Sequence, residues 1–170
     1  MTGEGIGEEM TEEQVTSLLE SAGHGVLSLA ADGRGYGLPI SFAYDGPNDR
    51  LILEFVNAGE SKKEAFAAES DEVTLTVYTY EDEHAWESVV VTGELHEIDP
   101  AEVANRSAAQ FFAQADDAAG ELRWSESEGV DRRWYEIRIS DASGRYGGSL
   151  PHQQQRGLLR FSRFDRRRKG

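Results

Sequence analysis

Two adjacent lysines, Lys62 and Lys63, follow a serine at the point where the apolar stretch Phe55-Val56-Asn57 gives way to a segment of helical character. Two ammonium groups, a hydroxyl and the free N–H groups of a starting helix are the donors that hold a phosphate. An isolated Lys-Lys pair is ordinarily a solvated surface feature. Here the surroundings reverse that expectation. The 170 residues include 32 acidic and 17 basic ones, for a formal charge of -15, and the first hundred hold only four cations: Arg34, Arg50, Lys62 and Lys63. Half of them stand side by side at one strand-to-helix junction. Upstream, Tyr36 to Tyr44 places large side chains on even positions and Gly37, Pro39, Ser41 and Ala43 on odd ones. A strand so patterned has one bulky face and one face with room for something flat.

The elements that must position these groups can be read in order. Met1 to Met10, rich in Gly and Glu, reads as a disordered N-terminal segment. Thr11-Glu-Glu-Gln14 is a capping box opening a helix with Val15, Leu18, Leu19 and Ala22 on one face and Gly23 as its stop. Strands are expected over Gly25–Ala30, Tyr36–Tyr44 and Leu51–Val56, joined by turns at 31–35 and 45–49. Ser61 to Glu69 reads as a helix with its own capping box, Ser61-Lys-Lys-Glu64, so Ser61 is explained as an N-cap with or without a ligand. Val73–Tyr80 alternates as a fourth strand. Trp86–Ile98 is a long fifth with a bulge or bend at Gly93.

Asp99-Pro-Ala-Glu102 starts a further helix running toward Asp116, a polar loop covers Gly120 to Gly129, and Arg133–Ile139 is a sixth strand. No periodicity is evident after Gly144. The fold class implied is mainly β: a six-stranded antiparallel barrel with inserted helices, spanning 11–150, followed by a basic C-terminal tail over 151–170.

Composition excludes several functions. There is no cysteine, so disulfides and thiolate metal sites are out. No apolar run is long enough to span a bilayer and the N-terminus lacks the pattern of a signal peptide, so a cytoplasmic location is expected. The negative charge disfavours nucleic acid and anionic membranes as partners, although seven of the cations lie between Arg156 and Lys169. A halophilic source would account for so acidic a surface. His24, His84, His96 and His152 lack metal-ligand spacing, and no metal site is expected.

Three motifs in order carry a family resemblance: Tyr36-Gly-Leu-Pro39-Ile-Ser41-Phe42, Ser61-Lys62-Lys63 and Trp86-Glu-Ser88-Val89-Val-Val91-Thr-Gly93. Together they resemble the FMN-binding split β-barrels related to pyridoxamine 5'-phosphate oxidase. The resemblance implies FMN as cofactor, with Leu38, Pro39, Ile40 and Ser41 meeting the isoalloxazine ring and Phe55, Val56 and Asn57 lining the next strand. It assigns the phosphate to Ser61, Lys62 and Lys63. Trp86 and Ser88 would approach the flavin or the partner of a homodimer with cofactor sites at its interface, Trp86 being equally explained as a core or interface aromatic.

The activity implied is that of a flavin-dependent oxidoreductase acting with a small-molecule substrate or electron donor. The alternative is a non-catalytic module that binds or senses flavin, haem or a deazaflavin on the same barrel. Vitamin-processing members carry a Trp, Arg and His segment near the end, and Trp134 to Tyr146 departs from it. The pyridoxal phosphate substrate is therefore not implied, and no catalytic acid or base is assigned. In such proteins the cofactor carries the chemistry and the chain orients it.

Overall fold

A computed structural model describes residues 7–57, 61–99 and 131–148. In chain order the elements are β1 (Glu8–Glu9), α1 (Glu12–Ala22), β2 (His24–Ala31), β3 (Arg34–Asp45), β4 (Arg50–Asn57), α2 (Lys62–Glu69), β5 (Val73–Asp82), β6 (Ala85–Ile98) and β7 (Asp131–Gly148). The sheet runs β1-β7-β4-β3-β2-β5-β6, and an additional β6–β7 pairing closes β2 to β7 into a six-stranded antiparallel ring. This is the split barrel expected from the sequence.

Local chemistry explains the elements. The Thr11 hydroxyl accepts from the Gln14 N–H while the Gln14 side chain accepts from the Thr11 N–H, a complete capping box. At the other end Gly23 takes φ 67°, the left-handed conformation that glycine adopts at least cost. Between the caps Val15, Leu18 and Leu19 turn into the barrel, each contributing about 1.5 to 3 kcal/mol of apolar burial. The β2–β3 hairpin turns on Asp32 and Gly33, both at positive φ, as the Asp-Gly signal requires. Inward residues alternate along every strand: Leu27 and Leu29, Leu51, Leu53 and Phe55, Leu75 and Val77, Val89 and Val91, and Ile137 are all buried. On β3 the even positions Tyr36, Leu38, Ile40 and Tyr44 pack on that core around the fully buried Phe42, so the predicted bulky face points inward.

Gly93 marks a bulge, since the β6–β7 register slips between Thr92 and Gly93. A β-carbon there would collide with the Arg138 carbonyl and approach the Ile137 side chain to 2.8 Å.

Three expectations need correction. Part of the N-terminal segment is ordered, because Glu8 and Glu9 pair with Tyr146 and Arg145 and the Met10 N–H donates to the Gly144 carbonyl. The last strand extends to Gly148, well past Ile139. Its outer part lacks alternation because Gly144, Gly147 and Gly148 interrupt the side-chain pattern while the backbone ladder to β6 continues. Finally, α2 has no capping box: Ser61 is the N-cap but makes no side-chain cap bond, and Glu64 instead accepts from the Asn57 amide at 2.6 Å. The helix expected from Asp99, the loop 120–129 and the tail 151–170 lie outside the described residues.

Candidate functional site

The barrel is split beside β3. Strand β4 pairs with β7 over its whole length, Arg50 to Asn57, but with β3 only from Leu53 back to Arg50, opposite Phe42 to Asp45. Residues 34–41 of β3 are laddered to β2 alone. The Phe42 N–H donates to the Gly23 carbonyl on the β2 side, and backbone groups alternate sides along an antiparallel strand. Gly37, Pro39 and Ser41 therefore turn their backbone polar groups away from β2, toward the split. Pro39 costs the ladder nothing there, since its missing N–H falls on the open edge. Gly37 is exposed, and a β-carbon added to it would meet only Val26, at 3.8 Å.

Helix α2 sits at this opening. Phe66 and Ala67 are buried in the core, and the Phe66 ring lies 5.2 Å from that of Tyr36 on β3. Ser70 ties the far end of the helix to β2 by accepting from the Ala30 N–H and donating to the Ala30 carbonyl, both at 3.0 Å. The two lysines of the first turn go different ways, as a rotation of about 100° per helical residue demands. The Lys63 ammonium donates to the Val56 carbonyl at 2.6 Å and lies 5.5 Å from the Phe55 ring centre, on the β4 side. Burial pushes it below the usual lysine value, opposed by the charge of Glu64. The Lys62 ammonium stands 4.8 Å over the Tyr36 ring and 5.6 Å from that of Phe66, on the β3 side. Arg34 joins it there from the hairpin, its guanidinium 5.5 Å from the Phe66 ring centre.

Charge pairing sets these three cations apart. Among the described residues Arg50, Arg132, Arg133, Arg138 and Arg145 all have a carboxylate within ion-pair distance. Arg34, Lys62 and Lys63 have none there, in a chain whose formal charge is -15. Asn57, 5% exposed at the end of β4, adds an unsatisfied acceptor: its amide nitrogen is used by Glu64, while its Oδ1 is buried with no partner among the described residues. A buried orphan oxygen costs about 1 to 3 kcal/mol, and a ligand hydroxyl would relieve it. The donor set of cations, the free Ser61 hydroxyl and the helix N-terminus fits a phosphate, and the Asn57 acceptor fits the polyol next to it.

Other predicted residues fall elsewhere. The side chains of Leu38, Ile40 and Phe55 face the core, so only their backbone could meet a ligand; Val56 and Ser41 are half-buried. Trp86 and Ser88 are on β6, across the ring from β3. The Trp86 ring packs on the backbone of Gly7 and Gly147. Ser88 lines a groove of about 930 Å³ between α1 and β6–β7, together with Glu9, Tyr44 and Ile139 and with no residue of α2. One chain thus unites Pro39, Ser41, Asn57, Ser61, Lys62 and Lys63 around the split and leaves Trp86 and Ser88 apart. Arg34 is the residue that motif reading missed. Its signal was its rarity: of the four cations in the first hundred residues, only Arg50 is used up in buried pairing, with Asp45 and Glu136.

A family model described as pyridoxamine 5'-phosphate oxidase matches residues 11–146. The chain belongs to that family. Its barrel is similar to those of several solved structures. An FAD-binding protein from Mesorhizobium loti aligns with a TM-score of 0.63 at 20% identity, over 81% of this chain and 96% of that one. The FAD and haem binding protein from Mycobacterium smegmatis gives 0.59 at 18%, over 88% and 78%. A flavocytochrome from Azotobacter vinelandii gives 0.57 at 16%, over 83% and 69%. At such identities the likeness establishes the fold. No curated protein matches the sequence. Among the described residues no helix is long and apolar enough to cross a membrane.

Proposed function

We propose that this member of the pyridoxamine 5'-phosphate oxidase family binds the FMN moiety of a flavin at the split and works as an oxidoreductase on a small-molecule substrate. The observation that carries the reading is the group of three cations at the split between β3 and β4, Arg34, Lys62 and Lys63, none of which has a carboxylate partner among the described residues. Lys63, Ser61 and the first turn of α2 take the phosphate, Asn57 Oδ1 accepts from the ribityl chain, and the backbone at Gly37, Pro39 and Ser41 faces the ring. Bound flavin supplies hydride or electron transfer at its N5 position. The chain's part is to hold the ring edge, shield it from water and fix its phosphate.

A homodimer completes this reading. The outward face of β3-β2-β5-β6 presents Gly37, Ser28, Thr74 and Thr92 in one row and Pro39, Val26, Thr76 and Val90 in the next, with Tyr78 opposite Ser88 and Tyr80 opposite Trp86. None of these residues is charged, although 29% of the chain is. Tyr78, Tyr80 and Val90 are the large hydrophobics exposed there, at 61%, 66% and 39%. An uncharged apolar face of this kind suits a second copy, which would also bring Trp86 and Ser88 to the partner's flavin.

The absorption spectrum of the purified protein tests the reading, together with its reduction by NADH, NADPH or reduced deazaflavin. A flavin spectrum bleached by a donor is expected. A Soret band, or bound flavin that no donor reduces, would favour the binding module instead. Val90→Asp should yield monomers by light scattering and lose flavin; an unchanged dimer would remove this face from the interface.

A further inference from the structure

We propose that Glu64 and Arg133 are positioning residues of the split: they lock the Asn57 amide with its oxygen toward the ligand, so that the site selects a flavin side chain bearing hydroxyl donors. The inference rests on the flavin reading above and deepens it. Asn57 ends β4 and is buried. Its Nδ2 donates to Glu64 Oε1 at 2.6 Å, and its Oδ1 has no partner among the described residues. Which end of a primary amide points where is settled by its partners. A carboxylate oxygen only accepts, so the reversed amide would set two acceptors against each other. The amide therefore keeps one orientation for as long as Glu64 stays in place.

Glu64 is held in place from β7. Arg133 Nε lies 3.2 Å from the Glu64 oxygen that Asn57 uses and 2.9 Å from Asp131 Oδ2, and its Nη1 lies 3.9 Å from Glu97. Strand β7 runs beside β4 here, with Asp131 opposite Asn57 and Arg133 opposite Phe55. The series Arg133, Glu64, Asn57 thus links β7, α2 and β4. Glu64 stands in the first turn of α2 beside Lys63, where a carboxylate works against a bound phosphate. Arg133 offsets that charge, and the amide lock gives the carboxylate a use. What results is a fixed, buried acceptor that only a donor can satisfy. A ribityl hydroxyl is such a donor and a plain alkyl chain is not, and sites with fixed buried acceptors reject analogues that lack the donor.

The test compares Glu64→Leu with Glu64→Gln in the full chain, by quenching of flavin fluorescence, with FMN and with an analogue whose phosphate is carried on a plain pentyl chain. Both variants remove the charge beside Lys63, so they differ in whether position 64 can accept from Asn57. Glu64→Leu should bind FMN about fivefold more weakly than Glu64→Gln, while the two bind the analogue within about twofold of each other. Arg133→Met, at an exposed side chain, should weaken FMN in the same direction and the analogue less. It decides the matter if circular dichroism shows Glu64→Leu to be unfolded. Equal FMN affinities of the two Glu64 variants would overturn the proposal. So would the same loss on both ligands, because Glu64 would then be shaping the split rather than aiming an amide. A wild-type chain that binds FMN and the analogue equally well would defeat this inference alone; one that binds no FMN would defeat the flavin reading with it.

Discussion

Replacing both Lys62 and Lys63 by Ala should weaken FMN binding without touching riboflavin, because riboflavin lacks the phosphate. The size of the loss follows from where each lysine stands. Lys63 is half-buried with its ammonium fixed 2.6 Å from the Val56 carbonyl, so a phosphate contact there forms in a partly desolvated setting and contributes about 1.5 to 3 kcal/mol. Lys62 is exposed, and a contact across solvent is worth about 0.2 to 1 kcal/mol. Together they predict a loss of about 2 to 4 kcal/mol, or about 30- to 700-fold in Kd, with most of it already present in Lys63→Ala alone. Flavin fluorescence quenching at low and moderate salt measures it, and the Lys62 share should shrink as salt rises. An unchanged FMN Kd would refute the assignment. So would an equal loss for riboflavin, because the lysines would then be shaping the pocket rather than meeting the phosphate.

Three further predictions concern the frame around the site. Lys63 has a folded pKa below its unfolded value of about 10.5 because burial penalises its charge, so it costs stability while charged in both states, and that cost lifts as pH rises from the folded value toward 10.5. Lys63→Met without flavin should therefore melt no lower than wild type at pH 7 and lack the wild-type gain in that alkaline window; a clear destabilisation at pH 7 would contradict this. Burial pushes the Glu136 carboxyl up, but hydrogen bonds from Arg50 and Arg138 outweigh it and hold the group below its usual 4.5. Its stabilisation is present above that value and fades as pH falls through the folded one. Urea unfolding should show Glu136→Gln about 1 to 3 kcal/mol less stable at pH 7, with the gap narrowing in acid below 4.5. Gly93→Ala drives a methyl group into the Arg138 carbonyl at the bulge and should cost about 1 to 3 kcal/mol by thermal melting; a neutral effect would mean that the bulge moves freely.

The barrel was legible because each of its strands has one buried face and so alternates. Leu75 and Val77, or Val89 and Val91, announce their strands in any reading of the chain. The far half of β7 was not legible, because its pairing to β6 rests on backbone bonds and Gly144, Gly147 and Gly148 supply no alternation. The proposed phosphate site was visible as Ser61-Lys62-Lys63, since its members are adjacent in sequence. Arg34 was not, because the contact that brings it to Phe66 spans 32 residues and depends on how α2 folds back over the β2–β3 hairpin. The Ser61–Glu64 capping box failed for a tertiary reason: Asn57 and Arg133 compete for the Glu64 carboxylate, at 2.6 and 3.2 Å, and leave the Ser61 hydroxyl free for a ligand.

If the split in the barrel holds a flavin by its phosphate, the wild-type chain must distinguish FMN from riboflavin, and its affinity for the two decides the matter. Saturable binding of one FMN per chain is expected, at least about tenfold tighter than that of riboflavin. Equal affinities, or no saturable binding of either, would contradict it.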